Sequence, residues 1–256
     1  SGLPVIADKF LRDTLPDQSG GPGDTTVTLY AGCMLDFVYP EIGEAIWQVL
    51  GSGGAVRLFP KEQSCCGAPA LYLGDIKTAR KLAVDNVLAL EKGSPQYVVT
   101  GCPTCAVMLK VRFPELLSGT AWEDRARGLS QKVFDFSQYA TEVAGIGVEH
   151  RGTGRATYHD PCHQVRGLGA SSCSRSLIAQ TGLELIEMEH SDQCCGFAGS
   201  YAIKQPGVSG AILDRKLDSI DRTDADIVVT DCPGCILQIR GGLRKRGTKT
   251  AVRHTA

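Results

Sequence analysis

The sequence predicts an α/β protein made of two copies of one unit, each with a parallel sheet. Three observations predict this fold class. Short apolar, β-branched runs alternate with longer segments of helical periodicity. The same order of elements occurs twice along the 256 residues. A cysteine pattern also recurs, with an offset of 129 residues for its first three positions and 130 for its last two.

Strands and helices alternate through the first half. Residues 25–30 have the β-branched composition of a strand. Apolar residues at helical spacing from Ile42 to Leu50 predict a helix that begins near Tyr39 and ends in the glycine-rich stretch 51–54. Further strands are expected at 56–59 and 97–100. A long amphipathic helix at 75–92 lies between them, closed by Gly93, and another helix begins at about Pro103.

The second half repeats this order. Strands are expected at 156–158, 183–188 and 227–230, and helices at 172–181 and 208–220. We expect a linker over residues 1–24, a first lobe over 25–150 and a second lobe over 151–256, with the boundary in the glycine-rich stretch 145–154. Six basic residues from Arg240 to Arg253 predict a solvated helix face and a frayed tail, with docking to an acidic partner subunit or the membrane surface as the weaker alternative.

The composition excludes several classes of protein. Of the residues 43% are hydrophobic and 21% are charged, which is enough apolar material for a core. The net charge of −1 predicts neither nucleic acid nor an anionic membrane as a main partner. No apolar run approaches the roughly 20 residues that span a bilayer. Because the chain starts at Ser1-Gly2 and not at Met, we expect a cleaved tag or a piece of a longer protein.

Ten of the eleven cysteines belong to the repeated pattern. The first set is Cys33, Cys65, Cys66, Cys102 and Cys105, and the second set is Cys162, Cys194, Cys195, Cys232 and Cys235. Each group follows a predicted strand. Ligands of parallel α/β sheets bind beyond the carboxyl ends of the strands, so all five thiols of a half are expected to meet at one sheet edge. The Cys-Pro-x-Cys groups also lie at predicted helix starts, where the helix dipole stabilises thiolate.

Four interpretations of these thiols compete. A thioredoxin-like dithiol matches Cys-Pro-x-Cys but leaves the other three cysteines of each set without a role. Zinc needs four tetrahedral ligands, which adjacent cysteines supply poorly, so zinc in one set is a minority alternative. Buried, unliganded cysteine explains a single thiol such as Cys173 but not a repeated pattern. An iron–sulfur cluster in each half is the leading hypothesis. The odd cysteine count also favours a reducing, cytoplasmic location over disulfides.

The pattern Cys…Cys-Cys-Gly…Cys-Pro-x-Cys resembles the CCG cysteine-rich domain family over roughly residues 25–247. The segments HDPCH at 159–163, CCGFAG at 194–199 and DRKL at 214–217 are similar to its lactate and glycolate branch. The resemblance implies two pseudo-symmetric, Rossmann-like lobes. It also implies two [4Fe–4S] clusters, non-cubane as in the cysteine-rich subunit of heterodisulfide reductase, held by the ten cysteines of the two sets.

The resemblance implies an electron-transfer subunit of an oxidoreductase acting on a small 2-hydroxy acid. Its expected partners are a flavoprotein dehydrogenase subunit, a ferredoxin-type subunit, or both. Through such a partner it could sit at the inner face of the membrane without spanning it. The alternative is a catalytic subunit that reduces a disulfide at a cluster, as in heterodisulfide reductase.

Four further residues are expected around the clusters. His159 and His163 flank Cys162, and they would donate hydrogen bonds to cluster sulfur or relay protons. A histidine satisfied by backbone or solvent is the competing interpretation. Gly67 and Gly196 follow the adjacent cysteine pairs, where a tight turn or a close approach of the backbone to a cluster requires glycine.

Overall fold

The computed structural model describes residues 4–21, 23–147 and 152–256. The chain divides into two compact units, one built mainly from residues 6–140 and the other from residues 141–255. Each unit has its own sheet. The lobe boundary that we expect at 150/151 lies outside the described residues.

The first unit contains a five-stranded sheet in the order β1-β3-β2-β4-β5. Strand β1 pairs antiparallel to β3, and the other neighbours are parallel. The strands are β1 (Gln18–Ser19), β2 (Thr26–Leu29), β3 (Val56–Leu58), β4 (Tyr97–Thr100) and β5 (Val133–Asp135). The helices are α1 (Leu11–Thr14), α2 (Gly32–Phe37), α3 (Pro40–Ser52), α4 (Ala68–Tyr72), α5 (Ile76–Leu90), α6 (Pro103–Val107), α7 (Phe113–Leu117), α8 (Glu123–Ser130) and α9 (Phe136–Gln138), with π-helical segments at Met108–Arg112 and Tyr139–Val143.

The second unit contains a four-stranded parallel sheet in the order β7-β6-β8-β9. Its strands are β6 (Arg155–Tyr158), β7 (Glu184–Leu185), β8 (Ile227–Val229) and β9 (Ala251–Arg253). Its helices are α10 (Ser171–Gln180), α11 (Tyr201–Lys204), α12 (Pro206–Asp221) and α13 (Pro233–Arg246), with a π-helical segment at Gln164–Leu168. The order β3-β2-β4-β5 of the first unit is therefore repeated as β7-β6-β8-β9. The predicted α/β class with parallel sheets and an internal duplication is confirmed.

Burial explains why the central strands are rich in apolar residues. Strands β2 and β4 have neighbours on both edges, and Val27, Leu29, Val98 and Val99 have no exposed surface. In the second unit Ala156 and Tyr158 of β6 form a core with Ile178 and Val229.

Helix α5 begins at a defined cap and packs along one apolar face. The Asp75 carboxylate accepts a hydrogen bond from the Thr78 N–H at 3.0 Å, which satisfies one of the unpaired donors of the first turn. Ala79, Ala83, Val87 and Leu90 are buried at three- and four-residue spacing.

The N-terminal residues differ from the expected linker. Leu11 in α1 is fully buried, and Gly43 of α3 leaves the space that the Leu11 side chain fills. Arg12 forms an ion pair with the buried carboxylate of Asp36. These contacts join residues more than 20 positions apart in the sequence. The polar, glycine-rich composition of residues 18–24 does not predict them.

The C-terminal residues are not a frayed tail. Residues 251–253 form β9, which pairs with β8, and Val252 is 2% exposed. Without β9 the edge of β8 would present unpaired backbone groups.

The strand expected at 183–188 is shorter than predicted, because only Glu184 and Leu185 pair with β6.

Candidate metal centres

The first cysteine site consists of Cys33, Cys65, Cys66, Cys102 and Cys105. Cys33 lies in the first turn of α2, directly after β2. The adjacent pair occupies the loop between β3 and α4, and Cys102 is the N-cap residue of α6 after β4. Because β2 lies between β3 and β4, the carboxyl ends of these three strands bring all five residues to one edge of the sheet.

The thiols of the first cysteine site contact one another in a chain. Side-chain hydrogen bonds link Cys33 to Cys65, Cys65 to Cys66, Cys66 to Cys105 and Cys105 to Cys102. Cys66, Cys102 and Cys105 are buried, whereas Cys33 and Cys65 are half-buried. The structure thus brings together every cysteine that the repeat assigns to this half.

The second cysteine site repeats this arrangement with Cys162, Cys194, Cys195, Cys232 and Cys235. These residues follow β6, β7 and β8, and Cys232 is the N-cap residue of α13. The Sγ atoms of Cys195 and Cys235 are 3.4 Å apart. Further side-chain contacts link Cys162 to Cys194, Cys194 to Cys195 and Cys232 to Cys235.

Each site favours one thiolate and disfavours deprotonation of three neighbouring thiols. A hydrogen bond from Cys33 is the main cause that lowers the pKa of Cys65 to about 3, and one from Cys162 lowers the pKa of Cys194 to about 2. The Gly67 and Gly196 N–H groups also donate to these sulfurs, at 3.5 and 3.3 Å.

Neighbouring thiols and burial raise the pKa values of Cys66, Cys105 and Cys195, so these thiols resist deprotonation. Contact with Cys102 raises the pKa of Cys105, and contact with Cys194 raises that of Cys195, each together with burial. For Cys66, the hydrogen bond from Cys105 acts in the opposite direction. Contact with Cys65 and burial outweigh it and raise the pKa to about 12.

Neighbouring thiols in a metal-free site oppose one another's deprotonation. A multivalent cationic centre would remove this opposition, because metal coordination deprotonates thiols outright. Five converging sulfur donors match the preference of iron–sulfur clusters, and of zinc, for soft ligands. The residues present therefore fit a metal centre in each half.

Gly67 and Gly196 have the backbone conformation that their position requires. Their φ angles are +81° and +85°, in the left-handed region that glycine adopts without strain. A Cβ atom at Gly196 would lie 2.5 Å from the carbonyl oxygen of Ser209. These glycines turn the chain sharply after the adjacent cysteines and aim an N–H at sulfur.

Gly32 is a site residue that the sequence pattern did not predict. Its φ is +59°, and a Cβ atom there would lie 3.1 Å from the Sγ of Cys105. Its place directly before Cys33 is the only sign of this role in the sequence.

His159 is fully buried after β6. Its Nδ1 lies 3.2 Å from the carbonyl oxygen of Ser191, so this nitrogen carries the proton and donates it. Burial, followed by the charge of Lys216, lowers the pKa of His159 to about 4. In a neutral ring with this tautomer, the Nε2 atom carries a lone pair and no proton. His163 directly follows Cys162 and is half-buried.

Two pairs of matched residues make the sites unequal. Tyr30 occupies the first-unit position that matches His159, and its hydroxyl donates to the Ser64 carbonyl at 2.6 Å. Lys216 of α12 matches Asn86 of α5, and both side chains are buried. The Lys216 ammonium donates to the carbonyls of His190 and Ser191, at 2.6 and 3.1 Å. Sequence reasoning missed these roles, although the repeat offset identifies both pairs.

Comparison with known proteins shows which chains this one is similar to. The model of the CCG cysteine-rich domain matches residues 27–110 and 156–240. Lactate utilization protein A of Geobacillus sp. strain WCH70 is 35% identical over 234 residues, which are 90% of this chain and 97% of that protein. The protein of the same name from Geobacillus kaustophilus strain HTA426 is 35% identical over 236 residues, covering 90% and 96%.

A solved structure supports the fold alone. The crystal structure of a hypothetical protein from Helicobacter pylori superposes with a TM-score of 0.56 at 11% identity. The match covers 94% of this chain and 49% of that one.

Across the described residues, every helix is too short or too polar to cross a membrane.

Proposed function

The chain belongs to the CCG cysteine-rich domain family, and we propose that it is an iron–sulfur subunit that carries electrons in lactate utilisation. The observation that carries this proposal is the convergence of five thiols at the strand ends of each unit. The lactate utilization proteins that match nearly the whole chain support lactate, or a closely similar 2-hydroxy acid, as the electron source.

In this proposal each cysteine site holds one [4Fe–4S] cluster, and a non-cubane form suits five ligands. The ligands are Cys33, Cys65, Cys66, Cys102 and Cys105 in the first site and Cys162, Cys194, Cys195, Cys232 and Cys235 in the second. Each cluster supplies one-electron chemistry. The chain's own residues hold it, limit water around it and set its potential through nearby charge and hydrogen bonds.

The proposed partners follow from the chemistry of the electron source. Oxidation of a 2-hydroxy acid to a 2-oxo acid releases two electrons and two protons. A one-electron carrier therefore needs a partner that takes both electrons at once, as a flavoprotein dehydrogenase subunit does. A ferredoxin-type subunit or a quinone would then receive the electrons from this chain.

Disulfide reduction at a cluster is the second candidate function. Cys33, Cys65, Cys162 and Cys194 are half-buried, which favours access of a small thiol to one side of each site. Reduction of a disulfide consumes two electrons and two protons and gives two thiols. The electrons would come from a reduced carrier protein.

Anaerobic purification with iron and sulfide analysis tests the proposal. We expect about eight irons per chain, from two [4Fe–4S] clusters. Lactate and the flavoprotein should bleach the visible absorption of the iron-loaded chain, and lactate alone should not. Zinc in place of iron would contradict the proposal. Reoxidation of the reduced chain by a disulfide, without reduction by lactate and the flavoprotein, would favour the second function.

A further inference from the structure

We propose that His159 is a metal ligand of the second cysteine site, bound through its Nε2 atom. This inference rests on the proposed metal centre and adds a nitrogen donor to the ligand set. Only the second site has this residue, since its first-unit counterpart is Tyr30. A ring nitrogen of His159 and the Sγ atoms of Cys195 and Cys235 all lie within 4.8 Å of one another. A single metal ion can be reached from all three.

The free nitrogen of the ring is Nε2. Nδ1 is engaged with the Ser191 carbonyl, and among the described residues Nε2 has no hydrogen-bond partner although it is buried. A buried polar atom without a partner is rare in native proteins, and coordination of an ion is a standard explanation for one. The lone pair of a neutral imidazole nitrogen is a good ligand for iron and for zinc.

The ring is held in place from its opposite side. The Ser191 carbonyl accepts hydrogen bonds from the Asp160 N–H at 3.0 Å, the Lys216 ammonium at 3.1 Å and the His159 Nδ1–H. Metal-binding histidines characteristically donate their second ring N–H to a backbone carbonyl or a carboxylate, which fixes the tautomer and the ring orientation. His159 shows this arrangement around Ser191.

Nearby charge favours the neutral, ligating form of the ring. Lys216 is 2% exposed, and its ammonium group shares the Ser191 carbonyl with His159. A second positive charge on a buried imidazole at this position is unfavourable, because two like charges would interact with little screening by water. The arrangement therefore keeps the Nε2 lone pair available.

In the first unit, the two matching positions carry neither an imidazole nor a buried ammonium group. The Tyr30 hydroxyl is already engaged as a donor to the Ser64 carbonyl, and burial raises its pKa well above the usual value, so it stays a phenol. Asn86 replaces Lys216 and brings no charge. The first site consequently offers sulfur ligands, whereas the second offers sulfur ligands and one imidazole.

Imidazole coordination has a consequence for electron transfer. Neutral histidine donates less negative charge to iron than thiolate does, and histidine ligation raises the potential of iron–sulfur centres. The second centre should therefore have the higher reduction potential and hold the electron at equilibrium.

Pulsed EPR on the iron-loaded full chain, labelled with ¹⁵N at histidine, tests this inference. We expect a strongly coupled histidine nitrogen on one of the two reduced centres. His159→Gln should abolish this coupling and lower the potential of the second centre, while His163→Gln should keep the strong coupling.

The wild-type spectrum tests whether a histidine is a metal ligand even where the variant fails to fold. Iron-loaded protein without a strongly coupled histidine nitrogen would overturn the inference and leave the proposed function intact. Coupling that survives in a folded His159→Gln variant would overturn it too. A chain that binds no iron would overturn the proposed function together with the inference.

Discussion

Gly67 and Gly196 occupy equivalent positions after the adjacent cysteines, but their surroundings differ. Both have positive φ angles, which disfavour any residue with a Cβ atom. A Cβ atom at Gly67 would have only ordinary contacts, the nearest at 3.6 Å, whereas at Gly196 it would lie 2.5 Å from the Ser209 carbonyl oxygen. The backbone of α12 cannot easily move away, because the Ser209 hydroxyl also bonds the Gly196 carbonyl at 2.8 Å.

Alanine at the two glycines should therefore have unequal effects. We expect Gly67→Ala to lower the free energy of unfolding of the metal-free protein by about 1–2 kcal/mol through backbone strain alone. Gly196→Ala should lower it by a further ~1–3 kcal/mol through overpacking. Urea unfolding followed by circular dichroism measures both values. Equal losses in the two variants would contradict the close packing of α12 against Gly196.

Single side chains were the hardest feature to predict. The cysteines were identifiable because their spacing repeats, and the adjacent glycines because the repeat places them twice. The repeat offset pairs Tyr30 with His159, but the two side chains differ in chemistry, so the pairing did not reveal their roles. The role of each side chain depends on the carbonyl that it contacts, which is Ser64 for Tyr30 and Ser191 for His159. Loops distant in sequence place both carbonyls.

Helices α5 and α12 are equivalent elements that carry different charges toward the cysteine sites. Asn86 is neutral and bonds the Cys65 carbonyl at 3.0 Å, whereas Lys216 brings a buried ammonium group to the second unit. A buried positive charge stabilises the reduced, more negative form of a nearby centre, and weak screening in the interior strengthens the effect.

The Lys216→Met change should therefore lower the reduction potential of the second centre. Methionine keeps most of the volume and removes the charge. The first centre should keep its potential, and so should both centres in Lys245→Met, where an exposed lysine is lost. A redox titration followed by EPR measures the potentials. An unchanged potential of the second centre in Lys216→Met would contradict the electrostatic role of Lys216.

The N-terminus of α5 predicts a specific dependence of stability on pH. Hydrogen bonds from Thr78 lower the pKa of the Asp75 carboxyl below its unfolded value of about 3.9. The contribution of Asp75 to stability is therefore complete above that unfolded value and is lost as the pH falls through the folded-state pKa.

Replacing the cap separates its charge from its hydrogen bond. Asparagine is as good a cap as aspartate but does not titrate, so Asp75→Asn should remove this part of the pH dependence. We expect the urea midpoint of the metal-free wild type to fall more than that of Asp75→Asn between about pH 5 and about pH 3. Parallel curves for the two proteins would contradict the role assigned to the carboxylate.

At the scale of the whole molecule, the repeat and the strand–helix alternation were enough to predict two parallel α/β units. Strands β2, β4 and β8 were identifiable because central strands are short runs of apolar and β-branched residues. The sequence did not reveal β1, β5 or β9, which lie at sheet edges and carry weaker patterns. Leu11 was missed for another reason, since the space it fills is created by Gly43, 32 residues later.

The duplication makes the central claim testable, because each unit should hold its own metal centre. Each five-thiol site lies within one unit and is built by that unit's own strands. Cys173 provides a matched control. It is a buried cysteine outside both sites, and its Sγ lies 3.3 Å from a Glu142 carboxylate oxygen.

The most direct measurement is the iron content and EPR spectrum of Cys66→Ser, Cys195→Ser and Cys173→Ser after identical anaerobic reconstitution. We predict that Cys66→Ser and Cys195→Ser each disturb a different cluster and leave about four irons in the other, while Cys173→Ser keeps about eight. Loss of both clusters from either single variant, or iron that is unaffected by both changes, would contradict the claim of one independent centre in each unit.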